Sequence, residues 1–523
     1  MRIPHILKVM ETVSTMKELK QTQSLITKTG LTNDSSILPK LIFFCAISPS
    51  GNLQYAQAIL DQTSLKTSFI YNTMIRAYAK TVFPLKAILL YNQMHSLYVK
   101  PDTFTYPFLL KACGKVLSDK GEENGYAFVV GRKGLETHCR AFQDGFYSDN
   151  FFQNSLIFMY GQCGLIDSAR LVFDEMFQRT VASWNTMIAV YDGVNDFESA
   201  NTLFRLSPEK NVVSWNTLLG RHVKVGDIEG ARRVFVEMPE RDVVSWNTMI
   251  SGYVQVRNYK KAVEMYREMQ VSRVEVTEIT LTSVLGACAE IGDLMTGREI
   301  HEFMKRNEFK IEGYLGNALV DMYAKCGSMN LAREVFDGMR MRHVSCWNSM
   351  IMGLAVHGYS EEALELFCSM ERSYVEVVPN RITFIGVLIA CTHKGLVEEG
   401  YLFFRLMIDK YSITPDIKHY GCVVDLLSRW GMLDKAYHVI KTMPFGGNSV
   451  LWRTLLGACK TYGNVELAEE AFQKIVELET PIDGDCVLLS NLYAEMERWE
   501  DVERVRNIMI GLGVSKRPGS SHI

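Results

Sequence analysis

Val212 to Asp242 reads VVSWNTLLGRHVKVGDIEGARRVFVEMPERD, and this stretch decides the fold. Trp215, Leu218, Leu219 and Val223 recur at helical spacing, so the first part is an amphipathic helix. Gly226 then breaks it, and Asp227 is a good N-cap for a second helix. Ile228, Ala231, Val234, Phe235 and Met238 give that helix its own apolar stripe, and Pro239 ends it. The stretch is therefore a helix-turn-helix pair. A single pair is too small to bury both stripes, so neighbours must stack.

The pair recurs along the chain. The tetrads NTMI at Asn72, NSLI at Asn154, NTMI at Asn185, NTLL at Asn216, NTMI at Asn247, NALV at Asn317 and NSMI at Asn348 mark it. The steps 154→185→216→247 are each 31 residues, 247→317 is 70, and 317→348 is 31 again. Such self-similarity means a repeat array rather than several unrelated domains in the 523 residues.

Thirty-five-residue helical pairs have two candidates, and the tetratricopeptide pattern W-x-x-L-G-x-x-Y is missing. The phrases VVSWNTMISGY (243–253), GNALVDMYAKCGSMNLAREVFD (316–337) and ITFIGVLIACTHKGLVEEG (382–400) closely resemble plant pentatricopeptide repeats. The resemblance runs from about Leu19 to Ile523. Alternating lengths resemble the PLS subclass, with repeats at 35–67 (degenerate), 68–102, 103–149, 150–180, 181–211, 212–242, 243–277, 278–312, 313–343, 344–380, 381–416 and 417–448. Residues 449–523 resemble the paired E motifs of that subclass, after which the sequence stops. Residues 1–34 read as an N-terminal segment, a weak basic transit peptide or a degenerate repeat. The resemblance implies an all-α fold, a right-handed α-solenoid of stacked helix pairs. Repeat 103–149 carries 12 extra residues near GEENGYAFVVGRKG, read as a loop extruded between helices or as an error in the gene model.

The resemblance also assigns chemistry. One repeat meets one base, and the fifth residue of the first helix acts with the last residue of the repeat on the base's Watson–Crick edge. The implied reading pairs are Asn72 with Asp102, Asn154 with Thr180, Asn185 with Asn211, Asn216 with Asp242, Asn247 with Thr277, Asn317 with His343, and Asn348 with Asn380. An asparagine presents a donor and an acceptor on a short stem, which suits a pyrimidine edge. The plain alternative is a helix cap, and that role would admit Ser, Thr or Asp as replacements. Pro107, Thr282, Ile385 and Gly421 leave their repeats without a reading asparagine.

The second position implies base-clamping by Phe69, Phe151, Val213, Val244 and Tyr314, with core packing as the alternative. Ala182 and Ser345 are weaker there. Position thirteen is basic at Lys80, Lys115, Lys224, Lys325 and Arg429, which reads as a phosphate contact once per repeat. Trp184, Trp215, Trp246 and Trp347 read as packing between repeats.

A net charge of −3 excludes a polycation that coats nucleic acid, so binding must come from one face. No apolar run is long enough to span a membrane. The twelve cysteines include no C-x-x-C and read as small buried residues in a reducing compartment. No H-x-E, Walker A loop or G-x-S-x-G elbow is present, so the chain is expected not to be an enzyme and to need no cofactor or metal. The resemblance implies a plant organellar protein, the mitochondrion preferred over the chloroplast. Its partner is pyrimidine-rich single-stranded RNA. Its role is to recognise sites of C-to-U RNA editing, with a DYW-type deaminase recruited in trans and multiple organellar RNA editing factors as further partners. The alternatives are transcript-end protection or splicing and, from another class, a protein-binding scaffold.

Overall fold

The computed structural model describes residues 2–118, 127–372, 377–480 and 483–511. Among these residues are thirty helices and no strand, and none of the helices is long and apolar enough to cross a membrane. The chain divides into two compact units, Met1–Met249 and Ile250–Ile523.

Repeat 212–242 shows why each pair forms. Asn211 caps the helix Val212–Lys224 through a capping box with Ser214. Gly226 turns the chain at φ +77°, a left-handed conformation that favours glycine. Asp227 then accepts a bond from the Gly230 N–H at 2.9 Å and starts the helix Ile228–Glu237, which stops before Pro239. Leu219 and Ala231 are fully buried between the two helices, and Val234, Phe235 and Met238 face the same core. Each large buried side chain contributes roughly 1.5–3 kcal/mol. Short helices like these are marginal alone, so packing carries the fold.

In the N-terminal unit each first helix packs on its own partner and on the next first helix. Ser68–Lys80 meets Leu85–Ser96 and Thr105–Ser118, and Asn150–Gln162 meets Ile166–Glu175 and Val181–Gly193. A recurring clamp joins the repeats. The ring of Trp184 meets Phe173 edge-on at 5.0 Å, and Trp215 meets Phe204 at 5.2 Å and Trp246 meets Phe235 at 4.8 Å in the same way. The Arg241 guanidinium lies 5.0 Å from the centre of the Phe235 ring and donates to the Phe235 and Val236 carbonyls at 2.7 and 2.8 Å. Arg179 repeats this arrangement on Phe173. The tryptophans are thus packing residues between repeats, as expected.

The C-terminal unit follows the same rule from Glu278–Ile291 to Trp499–Gly511, with Trp347, Phe336 and Arg342 forming its copy of the clamp. Leu451, Trp452, Leu455 and Leu456 share one core with Val423, Leu426 and Leu427, so the tail pairs continue the stack.

In the segment 1–34, Arg2–Thr12 buries Ile6 and Met10, and Met16–Lys28 buries Leu19, Thr22 and Ile26. Two expectations change. In repeat 103–149 the second helix, Ala127–Gln143, is 17 residues long against 10 for Ile166–Glu175, so part of the extra length is helix rather than loop. Residues 119–126 of that stretch, and 512–523 of the tail, lie outside the described residues. Cys139 is exposed, whereas Cys288, Cys391 and Cys459 are buried, and burial pushes their thiols up to about 12.

Candidate nucleic-acid interface

Except at Asp102, which accepts from Phe104 and Thr105 in the turn before the helix Thr105–Ser118, the residue that ends a repeat is the N-cap of the next first helix. Thr180, Asn211, Thr277 and Asn380 each form a capping box with the residue three places on. Asp242 accepts from the Ser245 N–H at 2.9 Å, and His343 occupies the cap position without a side-chain cap bond. Capping therefore belongs to the last residues, and the fifth-position asparagines sit inside the helices.

Four of the expected reading pairs are joined by direct bonds. Asn72 Nδ2 donates to Asp102 Oδ1 at 2.7 Å, and Asn185 Nδ2 to Asn211 Oδ1 at 3.1 Å. Asn216 Nδ2 donates to Asp242 Oδ1 at 2.9 Å, and Asn348 Nδ2 to Asn380 Oδ1 at 3.0 Å. The cap thus fixes the last side chain, and the last side chain holds the asparagine amide.

Hydroxyls complete some pairs: Ser245 Oγ donates to Asn216 Oδ1 at 2.7 Å, and Thr383 Oγ1 to Asn348 Oδ1 at 2.6 Å. In others the amide oxygen is left over. The Oδ1 atoms of Asn72, Asn154 and Asn185 are buried with no partner among the described residues. A buried acceptor without a donor is costly, so these amides are incompletely satisfied within the protein. Asn154 and Thr180 are not bonded to each other among the described residues, and Asn317 instead accepts from Ser349 at 3.4 Å. Burial would raise the Asp242 carboxyl, but bonds from Asn216 and Ser245 hold it below the ordinary carboxylate range.

The second-position residues are exposed rather than core, from 36% at Phe151 to 85% at Tyr314, with Phe69, Val213 and Val244 between. Phe104, Ile279, Ile382 and Val450 are exposed at the same position in repeats read as silent and in the tail, and sequence reasoning passed over them. Their signal was available, an apolar residue two places into each first helix. In the N-terminal unit Phe151, Asn154, Asn185, Val213, Lys111 and Lys115 line one open groove of about 660 Å³.

The position-thirteen cations divide. Lys80 and Lys224 are exposed, and Lys224 Nζ donates to Asn195 Oδ1 at 3.2 Å with its charge near enough to Asp192 to favour that carboxylate. Lys115 donates to the Lys80 carbonyl at 2.9 Å. Lys325 is paired with Glu290 at 2.7 Å and Asp321 at 3.1 Å; burial would lower its ammonium, but these partners raise it. Arg429 is paired with Asp425 at 2.9 Å. A phosphate would meet a neutralised cation at the last two. No group of three or more His, Cys, Asp or Glu side chains among the described residues is placed to hold a metal.

Comparison with known proteins matches this arrangement to one family. The model described as PPR repeat family covers residues 66–115 and 241–290. The PPR repeat model covers 154–181, 213–243, 317–344, 345–375 and 418–447, and the E motif model covers 462–523. A pentatricopeptide repeat-containing protein of Arabidopsis thaliana is 44% identical over 99% of this chain and 92% of its own length. A second, named chloroplastic/mitochondrial, is 35% identical over 99% of this chain and 72% of its own length. A third, named chloroplastic, is 42% identical over 98% of this chain and 83% of its own length. The crystal structure of the pentatricopeptide repeat protein PPR10 in complex with an 18-nt psaJ RNA element shares the fold, with a TM-score of 0.58, 17% identity, and coverage of 98% of this chain and 88% of that one.

Proposed function

The chain belongs to the pentatricopeptide repeat family and carries its E motif, and on that footing we propose that it is a sequence-specific single-stranded RNA-binding protein of a plant organelle. The observation that carries the reading is the bonded pair of fifth and last residues, repeated at Asn72–Asp102, Asn185–Asn211, Asn216–Asp242 and Asn348–Asn380. A scaffold for proteins has no need of a polar pair at one fixed place per repeat, whereas a reader of bases does. Exposed apolar residues at the second position add a clamp, and Lys80 and Lys224 add phosphate contacts. PPR10, of the same fold, is described in complex with RNA, and two relatives carry chloroplastic or chloroplastic/mitochondrial names.

Within that function, the E motif at 462–523 favours site recognition for C-to-U editing, with a deaminase supplied in trans, over end protection or splicing. Read N to C against RNA 5′ to 3′, repeats 68–102 through 344–380 select U, any, Y, C or U, U, Y, any, Y, C or U, where Y is a pyrimidine. The edited cytidine lies a few nucleotides 3′ of this stretch. Sequencing organellar transcripts from plants lacking the protein tests the editing role. One or a few cytidines preceded by this pattern should lose editing; full editing with a shortened or unspliced transcript would replace the editing role with the alternative.

A further inference from the structure

Repeat 103–149 has Pro107 where the reading repeats carry asparagine, yet its first helix puts Lys111 and Lys115 in the groove beside Phe151, with Phe108 on the same helix and Phe104 just before it. Phe104 and Phe108 lie nearly parallel, with ring centres 6.2 Å apart and planes 23° apart. Phe108 meets Phe151 edge-on at 6.0 Å. The Arg76 guanidinium lies 5.8 Å from the centre of the Phe108 ring, and the Lys111 ammonium 4.3 Å from that of Phe151. Lys80 and Lys115 stand one turn further along the same two helices. Among the described residues none of these four cations has a carboxylate partner, in contrast to Lys325 and Arg429.

Like charges gathered without an anion repel each other. Burial, with the charges of Arg76 and Lys80, pushes the Lys111 ammonium below its ordinary range, so an incoming anion relieves the cluster. Phe104 is more than half exposed, and Phe108 behind it is partly exposed. Aromatic faces beside unpaired cations suit a nucleotide whose base stacks and whose phosphate is neutralised, without hydrogen-bond readout.

We propose that repeat 103–149 seats one RNA nucleotide of any base, stacking the base on Phe108 and holding a phosphate on Lys111 and Arg76. This rests on the RNA-binding reading above. The seat keeps the register between repeats 68–102 and 150–180 while leaving its own position unread.

The test uses the full chain and a fluorescent RNA matched to the reading repeats, with each of the four bases or an abasic site facing repeat 103–149. The four bases should bind within about twofold of one another, and the abasic RNA roughly tenfold more weakly. Phe108→Leu, which keeps apolar volume and removes the ring, should weaken intact RNA roughly tenfold and erase the abasic effect. Lys111→Gln should lower the slope of log affinity against log salt by roughly 0.7 without creating a base preference. Circular dichroism melts check each variant's fold; where Phe108→Leu does not fold, the wild-type abasic comparison decides. Equal binding of abasic and intact RNA by a protein that still discriminates elsewhere would overturn the seat alone. A preference above tenfold for one base there would also overturn it. Failure to bind RNA of any sequence would overturn the RNA reading and the seat with it.

Discussion

Replacing Asn216 by threonine isolates one reading pair. In the structure the Asn216 amide donates to Asp242 Oδ1 at 2.9 Å and accepts from Ser245 Oγ at 2.7 Å. Threonine loses both bonds, each worth about 1 kcal/mol net. Ser245 keeps a second acceptor in Asp242 Oδ1 at 2.9 Å, and Asp242 keeps its cap bond to the Ser245 N–H at 2.9 Å. Asparagine and threonine have nearly equal helix propensity, so the fold should lose only about 1–2 kcal/mol. RNA binding should change far more. A base edge matched to a carboxamide would face a hydroxyl, and one unmatched polar group in a desolvated groove costs about 1–3 kcal/mol. Fluorescence anisotropy with RNAs differing at the one base facing repeat 212–242 measures this. The variant should bind the U-containing RNA roughly tenfold more weakly, a change of ~1.4 kcal/mol. It should recover on RNA carrying G there, the base that the family's code gives to threonine with a final aspartate. Equal binding of the variant to both RNAs would show that Asn216 does not read a base.

Asp242, held below the ordinary range, stays ionised from pH 8 to 5, so the preference for U at its repeat should be constant over that interval. Its stabilising contribution is present above about pH 4 and fades only as pH falls through the lower folded value; a U preference already halved at pH 5.5 would contradict the assignment. In salt titrations Lys80→Ala and Lys224→Ala should each flatten the slope of log affinity by roughly 0.7. Lys325→Ala should do less, because Glu290 and Asp321 already neutralise it. Phe235→Ala, which empties a buried ring site between Trp246 and Arg241, should destabilise by roughly 3–5 kcal/mol in chemical unfolding. A loss under 1 kcal/mol there would mean that the clamp does not hold repeats together.

The helix pair was legible because its signals are local. Gly226, Asp227 and the two apolar stripes act within a turn or two, and each did in the structure what its residue type demands. The proposed reading pairs were legible only through the family resemblance, since nothing in the Asn216 neighbourhood names a partner 26 residues away. The caps of the first helices were not read from the sequence although their pattern is plain: Thr180 with Ser183, Asn211 with Ser214 and Asp242 with Ser245 are each three apart. The Arg429–Asp425 pair was open to the i,i+4 rule, whereas Lys325–Glu290 joins two repeats and needed the fold. The buried Arg221, bonded to Asn201 at 2.7 Å and paired with Asp192 at 3.3 Å, reads in sequence as one more surface cation. Its burial depends on how adjacent first helices pack.

If single residues of this chain choose single bases, selection from a random RNA pool by the purified protein will show it. Sequencing the bound fraction should return U opposite repeats 68–102 and 212–242, seven nucleotide positions in which each reading repeat takes a pyrimidine, and no preference opposite repeats 103–149 and 278–312. A bound pool without enrichment, or purines opposite repeats 68–102 and 212–242, would contradict it.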